Sequence, residues 1–167
     1  MDYPLLTLGG IPIPPEAGAP DQSRDPIQGA TVLRMSDGAA VKMTHWSGKA
    51  SGEISGSGLI PLGLDALDYA QPLELLLTQP RSVAQVSRNF VLPSPCRPDR
   101  EPWGHALVAG RWRPVPCSRV GQNVTLSAAA GATLYMVQWM PAYSVFADPP
   151  QETMSGAHGW TLNWQEV

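Results

Sequence analysis

Few side chains in this sequence are spaced to do chemistry together. His45, His105 and His158 are its only histidines, and none has a carboxylate or cysteine at a spacing that would close a metal site. A hydrolase nucleophile of the Gly-x-Ser-x-Gly kind needs a sharp turn from strand to helix. The run Gly52-Glu53-Ile54-Ser55-Gly56-Ser57-Gly58 comes nearest, but neither serine has glycine at both −2 and +2. The same run lacks the lysine and the helix start of a phosphate-cradling loop. Cys96 and Cys117 stand among prolines with no histidine beside them in sequence, which suits turn or packed thiols. Asp65 and Asp68 lie three apart, a spacing that puts both on a solvated turn. These residues point to no catalytic site, no cofactor and no metal.

Arginine and tryptophan carry more information. Seven arginines fall in residues 81–119 against Asp99 and Glu101. Interleaved with Phe90, Trp103 and Trp112, they invite a nucleic-acid reading by stacking and charge. The chain as a whole is acidic, net −3, and has only two lysines. Nucleic-acid domains carry a clustered basic footprint, so no nucleic-acid partner is expected. Arginine without lysine fits a protein interface, where the planar guanidinium makes paired contacts. Arg97, Arg100, Arg111 and Arg113 are the interface candidates from this segment. Six tryptophans would also suit a carbohydrate-binding platform on a sandwich face, but Trp139 and Trp160 sit in apolar strands, where a core or an interface is the simpler home.

These groups must be positioned by strands. Eighteen prolines and sixteen glycines forbid long helices, and the longest stretch free of both is Arg81 to Leu92. The clearest element is a hairpin over Thr31–Trp46 turning at Ser36-Asp37-Gly38. With Gly38 left-handed, Met35 pairs with Ala39, Leu33 with Val41 and Thr31 with Met43. Leu33, Met35, Val41 and Met43 then share one face, expected to be buried, with Arg34, Lys42 and Thr44 on the other. Ala50–Ile60 reads as a small-residue strand that admits another backbone closely. Leu62–Tyr69 reads as a helical turn or compact loop, and Pro72–Thr78 as a strand. Arg81–Leu92 fits a helical stripe of Val83, Val86 and Phe90 as well as a strand face of Ala84, Val86, Phe90 and Leu92 interrupted by Arg88, and the β-rich context favours the strand. A hairpin turns at Ala109-Gly110, and further strands are expected near Val124, over Thr133–Met140, Tyr143–Phe146 and Trp160–Trp164. Many short strands with turn signals between them indicate a mostly β barrel or sandwich of antiparallel strands.

Residues 1–26 read as an extended N-terminal arm ahead of a β-rich domain at 27–167. Pro12, Pro14 and Pro15 keep it extended; it reads either as a frayed terminus or as an arm that adds to a neighbouring subunit, with Leu5, Leu8, Ile11 and Ile13 as the anchors. No export signal opens the chain and no apolar run reaches membrane-spanning length, so a cytosolic product with reduced thiols and no membrane partner is expected. Only 15% of residues are charged, a share that suits a surface covered by neighbours.

The string Gly56-Ser57-Gly58-Leu59-Ile60-Pro61-Leu62-Gly63-Leu64-Asp65-Ala66-Leu67-Asp68-Tyr69 resembles one found in small tail-tip and baseplate proteins of tailed bacteriophages that infect Gram-negative bacteria. The Met43-Thr44-His45-Trp46 strand before it is similar too. So is the ending Gly159-Trp160-Thr161-Leu162-Asn163-Trp164-Gln165-Glu166-Val167, with Asn163-Trp164-Gln165 in place of smaller, more acidic residues. The resemblance implies a structural virion protein, assembled in the host cytoplasm into a homo-oligomeric ring around the tail axis and joined to other tail or baseplate proteins. It implies no catalytic residues. Another virion joint, such as a tail terminator or head–tail connector, and a tryptophan-based sugar-binding module for host adsorption are the alternatives.

Overall fold

The computed structural model describes residues 3–167, and Met1 and Asp2, which open the expected arm, lie outside them. In chain order the strands are β1 (Thr7–Leu8), β2 (Ile11–Pro12), β3 (Asp21–Gln22), β4 (Asp25–Arg34), β5 (Ala40–Gly58), β6 (Leu73–Leu76), β7 (Arg81–Gln85) and β8 (Asn89–Val91). They continue as β9 (Trp103–Val108), β10 (Arg111–Val115), β11 (Cys117–Val120), β12 (Asn123–Leu126), β13 (Ala132–Trp139), β14 (Ala142–Ala147), β15 (Gln151–Met154) and β16 (His158–Glu166). The helical content of the described residues is one 3-10 turn, Pro15–Ala17. No helix there is long and apolar enough to cross a membrane. The chain forms two compact units, one of residues up to Ile13 with Glu74–Tyr143, the other of Pro14–Leu73 with Ser144–Val167.

The first unit is an antiparallel sandwich. A four-stranded sheet in the order β10-β9-β13-β7 faces a three-stranded sheet in the order β11-β12-β8. Alternate residues of each sheet point inward, as strand geometry requires. Ala106, Tyr135, Val137 and Trp139 from one sheet meet Phe90, Val124 and Leu126 from the other in one core. Gly104 lets the sheets close up, because a Cβ there would lie 2.6 Å from a methyl of Leu126. The sheets do not close into a barrel, so of the two expected architectures the sandwich is the one formed. The hairpin at Ala109-Gly110 is present with φ of 50° and 73°, the left-handed pair that a two-residue turn between twisted strands demands.

The expected Arg81–Leu92 strand is broken. β7 and β8 are separated by a bend at Val86–Arg88, where the Ser87 hydroxyl accepts a hydrogen bond from the Asn89 amide. That bend shifts the phase of the alternation. Phe90 and Leu92 are buried as expected, while Val86 is exposed and Val83, not Ala84, faces the core.

The second unit is built on β16, which pairs with β5 over eight residue pairs from His158↔Gly58 to Gln165↔Ser51. β14 and β15 also pair with β16, and β3 and β4 with β5. Two glycines of β5 are seats for tryptophans. Gly56 stands opposite Trp160 and Gly52 opposite Trp164, and a Cβ at either would lie 2.6 or 2.9 Å from the ring it faces. Gly58 admits the backbone of Glu16, Ala17 and Gly18, the close approach its sequence implied. Trp160 Nε1 completes that contact by donating to the Ala17 carbonyl at 2.8 Å. Leu62–Tyr69 is a compact loop, tied by the Tyr69 hydroxyl donating to Leu64 O at 2.9 Å.

The expected N-terminal arm is corrected by these units. Leu8 and Ile13 are buried, Ile11 is half-buried and Leu5 is the most open of the four. β1 pairs with β2 and with β6, setting Leu8 against Leu75. Residues 14–26 are held by the second unit through β3 and through Ser23 N donating to Glu53 O at 2.9 Å. The segment is extended, as its prolines require, but it serves as strand for its own chain. The expected boundary after residue 26 falls inside β4.

Candidate functional site: a projecting hairpin

The element left uncovered is the hairpin of β4 and β5. Its register is the expected one: Leu33 pairs with Val41 and Thr31 with Met43, and Met35 N donates to Ala39 O at 2.8 Å. Local chemistry explains the turn. Gly38 sits at φ +86°, which glycine adopts without steric cost. The Asp37 carboxylate accepts from Ala39 N at 2.9 Å, and Gly38 N donates to Met35 O at 2.9 Å. Arg34 Nη1 braces the tip by donating to Gly38 O at 3.1 Å.

The base of the hairpin is equally defined. The ladder shifts register on either side of Gly29, where bulges add twist. Gly29 lies opposite Trp46, and a Cβ at 29 would fall 2.3 Å from the indole nitrogen. Lys49 Nζ donates to Val167 O at 2.6 Å, and Ala50 N to the Glu166 carboxylate at 3.0 Å, so the strand leaving the hairpin is clamped to the C-terminal end of β16.

Between those ends every residue from Thr31 to Lys49 is exposed. The expected burial of the Leu33 face is therefore corrected: Leu33 is 49% exposed, Met35 57%, Val41 44% and Met43 49%. The alternation that made these residues look like a core face is real. No layer of the described residues covers them. Val32 and Trp46 are open as well, beside Arg34, Lys42 and Thr44 on the reverse face. A lone two-stranded hairpin is marginal in water, and monomers rarely leave a contiguous apolar patch uncovered. This stretch combines the two.

Comparison with known family models, curated proteins and solved structures finds no match to this chain. What the arrangement can do rests on its own geometry.

The arginine segment divides. Arg97, expected at an interface, is buried and pins the first unit from inside. Its guanidinium donates to Leu5 O at 2.9 Å, to Leu77 O at 3.2 Å and to both oxygens of Asp99 at 2.6 and 2.8 Å. That contact holds the Asp99 carboxyl below the usual carboxylate range. Arg100 is half-buried, its guanidinium 5.6 Å from the Trp103 ring centre. Arg119 forms a paired contact with Glu101 at 2.9 Å, and Arg81 lies 5.5 Å over Trp139. Arg111 and Arg113 are exposed on β10 beside the partly open Trp112, and they remain open to a partner.

The other candidates do not converge. Among the described residues no three of the His, Cys, Asp and Glu side chains group to hold a metal ion. Ser55 and Ser57 lie in the C-terminal part of β5, opposite Thr161 and Gly159. Cys96 Sγ donates to Arg100 O and Cys117 Sγ to Pro102 O, both at 3.1 Å, and burial raises both thiol pKa values. Trp139, Trp160 and Trp164 are buried, which removes them as platforms for a sugar.

Proposed function

We propose that this chain is a structural subunit of a bacteriophage tail or baseplate, joining copies of itself and neighbouring tail proteins in a ring around the tail axis. The observation that carries the proposal is the hairpin: a two-sided projection with an apolar face that nothing among the described residues covers. Covering Leu33, Met35, Val41 and Met43 on a neighbour would recover the free energy that water withholds, about 25 cal/mol per Å² of apolar surface. The low charge of the chain supports the same reading, since a free monomer gains solubility from charge and an assembled subunit does not need it. Its resemblance to tail-tip and baseplate sequences supplies the setting.

The test is genetic and structural. Replacing residues 30–45 by a two-residue Asn-Gly turn shortens the hairpin without touching either unit's core. Particles made with the shortened chain should lack complete tails, and mass spectrometry of wild-type tails should find the chain. Intact, infectious particles from the shortened chain would sink the proposal.

A further inference from the structure

The second unit also holds an acidic cavity, opposite in sign to the cationic side chains of the hairpin. An open cavity of about 740 Å³ is lined by Asp25, Glu53, Asp148, Asn163, Phe146 and Trp164 among others, with three carboxylates and no basic side chain on its wall. Phe146 is among the lining residues and is 47% exposed, so the lining offers an aromatic surface as well as charge. Among the described residues these carboxylates do not group to hold a metal ion. The exposed reverse face of the hairpin carries Arg34 and Lys42, and its apolar face carries Leu33, Met35, Val41 and Met43.

We propose that the hairpin of one copy docks in the acidic cavity of a second copy, with Arg34 and Lys42 against Asp25, Glu53 and Asp148 and the apolar residues against Phe146. This rests on the reading of the hairpin as an assembly arm and names what receives it. Geometry makes the contact propagate. The cavity wall includes Asp25 of β4 and Ser51, Gly52 and Glu53 of β5, so donor and acceptor are the far and near parts of the same two strands. From Gly29 to the turn the hairpin reaches about 25 Å at 3.3 Å per residue, too far for it to fill the cavity at its own base. A second copy can accept it, and that copy's own hairpin then points onward at a fixed angle. Head-to-tail contacts of this kind close into rings or run on as filaments. Opposite potentials on the two surfaces set the register, and the like charges of Arg34 and Lys42 disfavour pairing of two hairpins through their reverse faces.

A charge-swap experiment decides it. One full-length variant carries Arg34→Glu with Lys42→Glu, the other Glu53→Lys with Asp148→Lys. Association is followed by sedimentation velocity, and a denaturation midpoint near wild type shows that each variant is folded. Each alone should associate at least ~10-fold more weakly than wild type, because like charges then meet across the contact. An equimolar mixture should recover association, since reversed hairpins now fit reversed cavities and the native surfaces still fit each other. A milder pair, Glu53→Gln with Asp148→Asn, should show a smaller loss and guards against misfolding of the lysine variant. The inference is overturned if wild type stays monomeric, if the reversed variants associate like wild type, or if mixing fails to restore them. Leu33→Asp with Val41→Asp separates the two claims: if it abolishes association while the cavity variants do not, the hairpin is the arm and its acceptor lies elsewhere.

Discussion

Gly56→Ala probes the way β5 is seated on the tryptophans of β16. The new Cβ would lie 2.6 Å from Cζ2 and 2.9 Å from Cε2 of Trp160, where about 3.6 Å is needed. Either the ring or the strand must retreat by about 1 Å. Trp160 is 4% exposed and its Nε1 is committed to Ala17 O, so the ring has little freedom to move. Overpacking of this kind costs about 1–3 kcal/mol. Weakening the indole hydrogen bond adds about 1 kcal/mol. Against these, replacing glycine restricts the unfolded chain and returns about 0.4–1 kcal/mol. The net expectation is a loss of about 1–3 kcal/mol, read from urea denaturation midpoints. Ser57→Ala, one residue along and clear of the ring, should stay within about 0.5 kcal/mol. Pairing Gly56→Ala with Trp160→Leu should cost less than the sum of the two changes, because the smaller side chain vacates the space. A Gly56→Ala protein as stable as wild type would refute the seating.

The remaining predictions address the N-terminal segment, the hairpin and the buried arginine. Leu8→Ala should lower stability by about 2–5 kcal/mol, since Leu8 is fully buried opposite Leu75; an unchanged denaturation midpoint would return residues 3–13 to the status of a loose arm. Leu33→Ala should cost the isolated subunit under about 0.5 kcal/mol, as its side chain is half open; a core-sized loss would mean that something covers that face within one chain. Because Arg97 lowers the pKa of Asp99, the stability Asp99 contributes is present above its unfolded pKa, about 3.9, and is lost as pH falls through the lower folded value. The difference in midpoint between wild type and Asp99→Asn should therefore shrink from pH 6 towards pH 3, and a gap that widens on acidification would contradict the contact.

What could be read from the residues follows from which forces are local. The hairpin turn and register were legible because Asp37-Gly38 and a strict two-residue alternation are local properties. The burial of that hairpin was not, since alternation marks a face that prefers cover without saying whose. The same ambiguity hid the role of residues 3–13. A proline-rich extended segment looks alike whether it pairs with its own chain or another, and the decisive partner, Leu75, is remote in sequence. Gly52, Gly56 and Gly58 signalled close approach, but not that Trp164 and the Ser23 carbonyl, Trp160, and the backbone of residues 16–18 respectively supply it. Arg97 carried no mark of its burial, because one arginine among seven differs from the rest only by its neighbours in space.

The account turns on whether the hairpin is what holds copies together. Sedimentation velocity of the wild-type chain and of the chain with residues 30–45 replaced by Asn-Gly, at matched concentrations and moderate salt, asks this directly. Wild type should sediment as a concentration-dependent oligomer, and the shortened chain as a monomer with an unchanged denaturation midpoint. A shortened chain that associates as wild type does would contradict the account.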